Sequence, residues 1–558
     1  MSFKLLYITA LILCGHTIYA EIEIPPDINK SIDSVIQQEQ QREQVRSRQS
    51  SPNVFFGRPK KKEIPLSTDK PSKNCYPIKK INIKGASLIK QKTKNIILKK
   101  YVQKCLSTNE INNLINTLGN YYLERGFITS RALITEQELN DGSLDITVIE
   151  GKVGNIVIKS GKARNELRTA FPKIKGKYLN LRDIEMGVEQ MNRLQSQNMK
   201  SSLLPSNKLG VTDVQIERSL SRPVHFSLTV DNHGSKGTGK SLISGNIVWD
   251  NPLGLNDKLT FGLNGTSKQE AIKGSRGNSI SYQVPYGYTL LNASYSKFKY
   301  RQPISGLNET FKSTGKSTNY KLDLDHIFHR NKNSKSKVKF GVGHKASKNF
   351  ISDTLIETSS RKLTVGSLSL VHTRLFSDGS LDVGLSLHQG LKWFGAERNL
   401  GGDNAKAQFT KFTADASYSK QFMKLGESIN LKSNLHFQDS NDKLYGTEQI
   451  SIGGLHTVRG FAKNGLSGNS GWYLRNELSI DLPIKKSKGK VTPYIAYDVG
   501  HISKDEFGSV GGTLAGSALG FRVSGKYFNT DISVAKASTK PKGFKENEVI
   551  SASISLNF

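Results

Sequence analysis

Short runs of alternating apolar and polar residues fill the chain from about residue 223 to its end. Segments such as KLTFGLNGT and VTPYIAYDVGHI place every second side chain on one face, and Gly, Asn, Asp or Ser separates them. A period of two predicts half-buried strands rather than helices. We count sixteen segments, and the last one closes with Phe558. An even strand number of this kind predicts a transmembrane β-barrel over residues 223–558. A soluble β-sandwich or propeller is the alternative, although no blade repeat is present.

One glycine-rich stretch, from about residue 440 to 471, interrupts the alternation. It is too long for a tight hairpin, and its middle carries Val458, Arg459, Gly460 and Phe461. Long connections without regular structure are usually functional or disordered. An arginine and an aromatic residue beside a glycine favour a tip that packs against another part of the molecule. We therefore predict that this loop turns inward into the barrel lumen.

Helical periodicity replaces the alternation before the barrel. Residues 75–151 predict the order β-α-α-β-β, with Thr108 as the cap of the second helix. Residues 152–222 repeat this order in outline. Two successive modules of similar size indicate a tandem array. Sheets of this kind have open edges, which can pair with an extended peptide.

The N-terminal region has three parts. Lys4 and the apolar run that follows it predict a secretory signal peptide over residues 1–20, cleaved after Ala20. Residues 21–50 predict one polar helix with a thin apolar stripe, and the Pro- and Lys-rich residues 51–74 predict a linker. A single tethered helix is marginal in isolation, so it must dock elsewhere or remain mobile.

Removal of the signal peptide leaves one pair of cysteines, Cys75 and Cys105. An exported chain meets an oxidising compartment, which favours a disulfide between them. Two free buried thiols are the alternative. No histidines accompany the pair at ligand spacing, and we expect no metal site.

The composition and the motifs limit the classes of function that are possible. The formal net charge is +33 and hydrophobic residues make up 36%, which does not suit a helical membrane protein. Lysines dominate the basic residues and no nucleic-acid motif accompanies them, so we favour solvated lysines over nucleic-acid binding. The run Gly234–Ser241, GSKGTGKS, fits the phosphate-loop spacing, but a strand follows it where phosphate binding needs a helix. Hydrolase motifs are missing from the sequence, and we expect no enzymatic activity and no cofactor.

The order of these parts resembles the two-partner secretion transporters of the haemolysin secretion/activation family, and the two modules look like POTRA domains. Four motifs carry the resemblance across nearly the whole chain. They are C-Y-P-I at Cys75–Ile78, D-N-P-L-G-L-N-D at Asp250–Asp257, V-R-G-F at Val458–Phe461, and Tyr497-Asp498-Val499-Gly500 in place of the family's aspartate–glycine motif. The last motif departs slightly from the family spacing.

The resemblance implies an outer-membrane translocator of a Gram-negative bacterium, with POTRA domains in the periplasm that catch an unfolded secreted partner. The partner would be a large β-helical haemolysin or adhesin. Arg459 would pair with Asp498, near Gly500, on the inner wall of the thirteenth strand, and the helix from about Ile28 to Arg48 would plug the pore. We expect a monomer in contact with lipid and lipopolysaccharide, without nucleic acid. An insertase for other barrels, and a passive porin or barrel enzyme, are the alternatives.

Overall fold

The computed structural model describes residues 26–49, 75–159, 163–305, 309–424, 426–462, 464–484 and 489–558. The predicted signal peptide and linker lie outside these residues. Helix α1 (Pro26–Gln49) comes first, and its side chains are described from residue 32 to residue 43. No helix in the described ranges is long and apolar enough to cross a membrane.

The first module packs two helices on two small sheets. In chain order it contains β1 (Cys75–Ile78), β2 (Lys80–Lys84), α2 (Gln91–Leu98), β3 (Lys104–Ser107), α3 (Thr108–Glu124), β4 (Arg131–Leu133) and β5 (Ser143–Ile149). Strand β1 pairs with β3, while β2 runs parallel to β5, which also pairs with β4. The apolar face of α3 is buried through Leu114, Leu118 and Tyr122.

Two details of this module differ from the sequence prediction. Ser107, rather than Thr108, caps α3, because its hydroxyl and the Glu110 carboxylate form a reciprocal capping box. Cys105 lies in strand β3, a short strand between the two helices that the predicted β-α-α-β-β order does not contain. The Cys75–Cys105 disulfide therefore joins two strands that already pair with each other.

The second module has the order β-α-α-β-β. Its elements are β6 (Lys152–Ile158), α4 (Arg164–Ala170), α5 (Leu181–Asn192), β7 (Gln197–Pro205) and β8 (Val211–Leu220). Strand β8 lies between β6 and β7. The buried face of α5, with Ile184, Val188 and Met191, packs on Val214 and Ile216 of β8. This arrangement leaves β6 and β7 at the two edges of the sheet.

The remaining strands build the barrel and a small hairpin. They are β9 (Val224–Asp231), β10 (Leu242–Asp250), β11 (Lys258–Thr266), β12 (Gly274–Tyr286), β13 (Thr289–Ser305), β14 (Thr310–Arg330), β15 (Ser334–Ile351), β16 (Thr354–Leu355), β17 (Arg361–Leu375), β18 (Gly379–Leu391), β19 (Thr410–Lys424), β20 (Glu427–Asp439), β21 (Ile450–Ile452), β22 (Leu466–Gly468), β23 (Gly471–Pro483), β24 (Lys490–Ile502), β25 (Gly512–Ser524), β26 (Phe528–Thr539) and β27 (Val549–Asn557). Strand β16 pairs with β15, and β21 pairs with β22. The other sixteen strands in the described ranges close into an antiparallel barrel when β27 pairs with β9. The predicted strand number and fold class are confirmed.

Side chains alternate between the two faces of the barrel wall. In β24, Ile495 and Tyr497 are about half exposed, while Tyr494, Ala496 and Asp498 are buried. An exposed apolar band is the lipid-facing surface of a membrane barrel, and the opposite face lines its interior. The alternation therefore assigns Asp498 to the interior wall.

Candidate functional site in the barrel interior

The long connection between β20 and β23 forms its own small core. A short 3-10 turn, Gly446–Glu448, leads into the β21–β22 hairpin. Apolar side chains of the loop pack with Ile502 of β24 and Leu514 of β25, both fully buried. The loop members of this cluster are Ile450, Ile452, Val458, Phe461 and Leu466. The loop is therefore held against the wall by apolar burial over several residues.

Arg459 and Asp498 form a bidentate ion pair, which we call the loop-to-wall pair. Arg459 Nε donates to Asp498 Oδ2 at 2.6 Å, and Nη2 donates to Oδ1 at 2.8 Å. The backbone N–H of Arg459 adds a third hydrogen bond to Asp498 Oδ2, at 3.1 Å. Arg459 is 5% exposed and Asp498 is 0% exposed. In this shielded position each charge depends on the other for its stabilisation.

The other residues of the two motifs let the loop approach the wall closely. Gly460 has φ +94°, and a Cβ there would lie 2.6 Å from the backbone nitrogen of Ala537 on β26. A Cβ on Gly500 would lie 3.0 Å from Val458 Cγ2. Val458 and Phe461 are buried in the loop cluster. The glycines thus provide the space, and the two apolar residues fill it.

Sequence reasoning missed the charges that surround this pair. Glu477 of β23 accepts from Arg459 Nη1 at 3.3 Å and from both terminal nitrogens of Arg522 on β25, at 2.7 and 2.9 Å. Arg522 Nε also donates to Asp531 of β26 at 2.9 Å. Arg475 Nε lies 3.9 Å from Asp498 Oδ2. Three arginines and three carboxylates therefore balance across four neighbouring strands and the loop. The alternation of β23, which turns Arg475 and Glu477 to the same face, was the available sequence indication.

A second ion cluster holds the descending part of the loop, and it too was missed. Glu448, 4% exposed, accepts from Lys345 of β15 at 2.6 Å and from Lys411 of β19 at 3.1 Å. Lys411 Nζ and Gln438 Nε2 of β20 also donate to the Glu448 carbonyl, at 2.8 and 3.1 Å. One carboxylate therefore ties the loop to two distant parts of the wall. No motif in the sequence marks Glu448.

Helix α1 lies inside the barrel and rests on this part of the loop. Its stripe of Ile32, Val35 and Ile36 packs on Phe298 and Tyr300 of the β13 wall. Hydrogen bonds add to this packing: Gln37 donates to the Gly446 carbonyl, Arg42 donates to the His233 carbonyl, and Glu39 accepts from Asn264 at 2.9 Å. The helix predicted to need a docking surface thus contacts both the wall and the loop.

The D-N-P-L-G-L-N-D motif lies where the second module meets the barrel. Asn256 Nδ2 donates to the Glu166 carbonyl and to Thr169 Oγ1 of α4, at 2.8 and 2.9 Å. Asp250 accepts from the backbone of Ser196 at 2.8 Å. A second contact joins Glu189 of α5 to Arg330 and Lys335 at the β14–β15 turn. This end of the barrel is the module rim, and the opposite end is the far rim.

The remaining sequence candidates lie apart from the interior site. The GSKGTGKS run connects β9 to β10 at the far rim, where Gly234 donates to the Lys240 carbonyl and a strand follows. The disulfide belongs to the first module. Neither contributes a side chain to the loop-to-wall pair.

A closed barrel with two modules at one rim, and with its own loop and helix in the lumen, defines a transmembrane transporter whose pore is occupied by its own chain. The family described as haemolysin secretion/activation protein ShlB/FhaC/HecB matches residues 210–523, more than half of the chain. The ShlB-type POTRA domain matches residues 76–151, and a further POTRA domain matches residues 152–205. The chain belongs to this haemolysin secretion/activation family.

Individual relatives agree over almost the whole length. The outer membrane transporter CdiB of Dickeya dadantii (strain 3937) is 31% identical over 553 residues, covering 97% of each chain. The hemolysin transporter protein ShlB of Serratia marcescens is 29% identical and covers 90% of this chain and 88% of its own. The solved structure of CdiB from Escherichia coli superposes with a TM-score of 0.85 at 30% identity, over 96% of this chain and 99% of that one. The protein is an outer-membrane transporter of two-partner secretion, with its POTRA domains in the periplasm.

Proposed function

We propose that this transporter exports one unfolded partner protein through a pore that is closed at rest by helix α1 and shaped by the anchored loop. The observation that carries the proposal is the bidentate loop-to-wall pair inside a closed barrel. A buried salt bridge is weak support for stability by itself, but it can select one conformation of a segment. Here that segment is the loop on which α1 rests.

The POTRA domains supply the capture step in this proposal. Within the described parts of the chain, strand β7 pairs with β8 on one side only, and an extended chain can add to such an edge through main-chain hydrogen bonds. Near the start of β7, the Met199 N–H donates to Asn192 Oδ1 at 2.6 Å, and Asn192 Nδ2 donates to the Met199 carbonyl at 2.9 Å. This part of the edge is therefore already hydrogen-bonded. We therefore propose that the secreted partner protein, called the passenger below, binds along the later part of the strand, up to Pro205. The passenger is an exported, β-helical haemolysin or adhesin, which this transporter could also activate.

The direction of transport comes from the passenger in this proposal. Nucleotides are not supplied in the periplasm, so folding of the passenger outside the cell prevents its return. We propose that the transporter contributes no catalytic step. A single chain closes the whole lumen, which supports action as a monomer, and the exposed apolar wall supports contact with outer-membrane lipid and lipopolysaccharide.

A reversible tether tests whether α1 must leave. A Cβ on Gly446 would lie 2.9 Å from Asp33 Cβ, so a small shift brings Asp33→Cys and Gly446→Cys to disulfide geometry. We expect oxidation of this pair to stop partner secretion and reduction to restore it. The two single-cysteine variants and the unmodified protein, treated with the same reagents, control for the native disulfide. Continued secretion through a fully tethered barrel would refute the plug.

A further inference from the structure

A row of four cations crosses four neighbouring barrel strands. The strand register places Arg276 of β12 opposite Lys299 of β13, Lys299 opposite Lys316 of β14, and Lys316 opposite Lys348 of β15. Residues directly opposite in a sheet have Cβ atoms about 4.5–5.5 Å apart, and like charges in such positions destabilise it. The row therefore lowers the stability of the isolated barrel and needs anions to offset it.

The row faces away from the lumen. Phe298 and Tyr300, the neighbours of Lys299 along β13, pack on helix α1 inside the barrel. Successive side chains on a strand point to opposite faces, so Lys299 and its partners in the register point outward. All four cations are exposed. Among the residues that the structure describes, none of the four forms an ion pair or a hydrogen bond.

The height of the row matches the edge of the lipid layer. The rings of Tyr295 and Tyr320 contact each other on the outer wall, with centroids 5.1 Å apart and planes tilted by 49°, and aromatic residues mark the interfacial girdle of membrane barrels. Lys299 and Lys316 each lie four residues nearer the far rim than these tyrosines. Four residues span about 13 Å of strand, or about 10 Å of height at the usual tilt. The apolar residues Leu322 and Leu324 continue the lipid-facing band toward the module rim.

The far rim is the cell-surface rim, because the POTRA domains occupy the periplasmic one. We propose that Arg276, Lys299, Lys316 and Lys348 form a binding site for the phosphate groups of the phosphorylated glycolipid in the outer leaflet. The row spans three inter-strand steps, about 14 Å, so it can contact more than one phosphate. Long cationic side chains also extend along an apolar surface while their charged ends reach the headgroup layer.

The geometry favours a lipid over the secreted passenger as the occupant. The passenger crosses the lumen, and the barrel wall separates that lumen from the cations. Next to the row, the outward positions nearer the membrane are Asn278, Lys297, Thr318 and Ala346, and none of these four is a carboxylate. The site deepens the lipopolysaccharide contact in the proposed function, but it is independent of export.

Lipid binding to the purified full-length protein in non-ionic detergent tests the site. The row variant replaces the four cations by Gln (R276Q, K299Q, K316Q and K348Q). The matched control removes the same charge from exposed lysines of the first module (K90Q, K92Q, K99Q and K100Q). Each cation near an anionic surface changes affinity by roughly five-fold. Four such changes multiply to roughly 600-fold, so we expect lipid A to bind the unmodified protein and the control equally, and the row variant about 600-fold more weakly.

Thermal unfolding adds a second readout, because the row variant should bind lipid more weakly but be more stable in its absence. Without lipid, the row variant should unfold at a higher temperature than the unmodified protein, because adjacent like charges are gone. Lipid A should then raise the unfolding temperature of the unmodified protein and leave that of the row variant unchanged. Equal lipid A binding by both proteins would refute the site. Displacement of lipid A by inorganic phosphate, or equally tight binding of phosphatidylglycerol, would refute the assignment to glycolipid. Export failure would change none of these readouts.

Discussion

Removal of the Arg459 side chain is the sharpest perturbation of the interior site. Arg459→Ala deletes two short charge-assisted hydrogen bonds and leaves Asp498, which is fully buried, without its closest cation. Breaking a buried pair from one side costs roughly 3–5 kcal/mol. Arg475, 3.9 Å from Asp498, offsets part of this cost, so we work with about 3 kcal/mol. A free-energy change of this size shifts the equilibrium from the anchored toward the released loop by roughly 100-fold.

Loop release can be measured without the passenger. Thr457 is 2% exposed in the anchored loop, so a cysteine introduced there should react slowly with a water-soluble thiol reagent. We expect Arg459→Ala to increase this labelling rate by about the same 100-fold. Barrel folding is checked by electrophoresis in detergent. The unheated, folded barrel should migrate at a different position from the same protein after heating. Arg398→Ala, an exposed arginine of the β18–β19 loop, is the matched control and should change neither readout.

Export provides the functional assay. Arg459→Ala should insert into the outer membrane and fail to release the partner into the medium. A double-mutant cycle with Asp498→Ala separates the pair from its surroundings, because coupled residues give non-additive losses. We expect the double variant to be no worse than either single variant. Normal export by Arg459→Ala, or a protected cysteine at position 457 in that variant, would refute the reasoning.

Other contacts of the chain give three more tests. Glu448→Gln removes the charge shared by two lysines and so weakens the attachment of the loop on which α1 rests. A cysteine placed on α1 should then react faster with a thiol reagent, and an unchanged labelling rate would contradict the described contact between α1 and the loop. Glu189→Gln takes the closest carboxylate from Arg330 and should weaken the joint between second module and barrel by about 1–3 kcal/mol, seen as faster proteolysis there. Burial raises the pKa of Glu150 in the first module, but hydrogen bonds, including that from Tyr122, outweigh it and hold the pKa below its ordinary value. The contribution of Glu150 to stability is therefore full above the ordinary pKa and is lost as the pH falls through the folded-state pKa. Glu150→Gln should flatten this pH dependence, measured as hydrogen exchange of the α3 amides. An unchanged pH profile would exclude a contribution of Glu150 to the pH dependence of stability.

The sequence was sufficient for the architecture because each element carries its own periodicity. Alternation with a period of two gave the sixteen strands, and the helical pattern gave the two modules. These patterns are local, so neighbouring residues are enough to recognise them. The first module shows the limit, since β3 has only four residues and contains too little alternation to be recognised.

Arg459 and Asp498 were identified through the family motifs, and the structure places them in contact. The charges around them were not identified, because Glu477, Arg522 and Asp531 look like ordinary residues of three different strands. Their contacts depend on lateral neighbours and on the register between strands, neither of which is local information. The same reason applies to Glu448.

The sequence by itself therefore determined that this chain forms two POTRA modules and a barrel, and which two motifs meet inside it. Only the tertiary structure decided which further charges surround the loop, where α1 rests, and that four cations from separate strands form one outward row. Closing the barrel fixes every strand against two neighbours, and that closure converts scattered residues into sites.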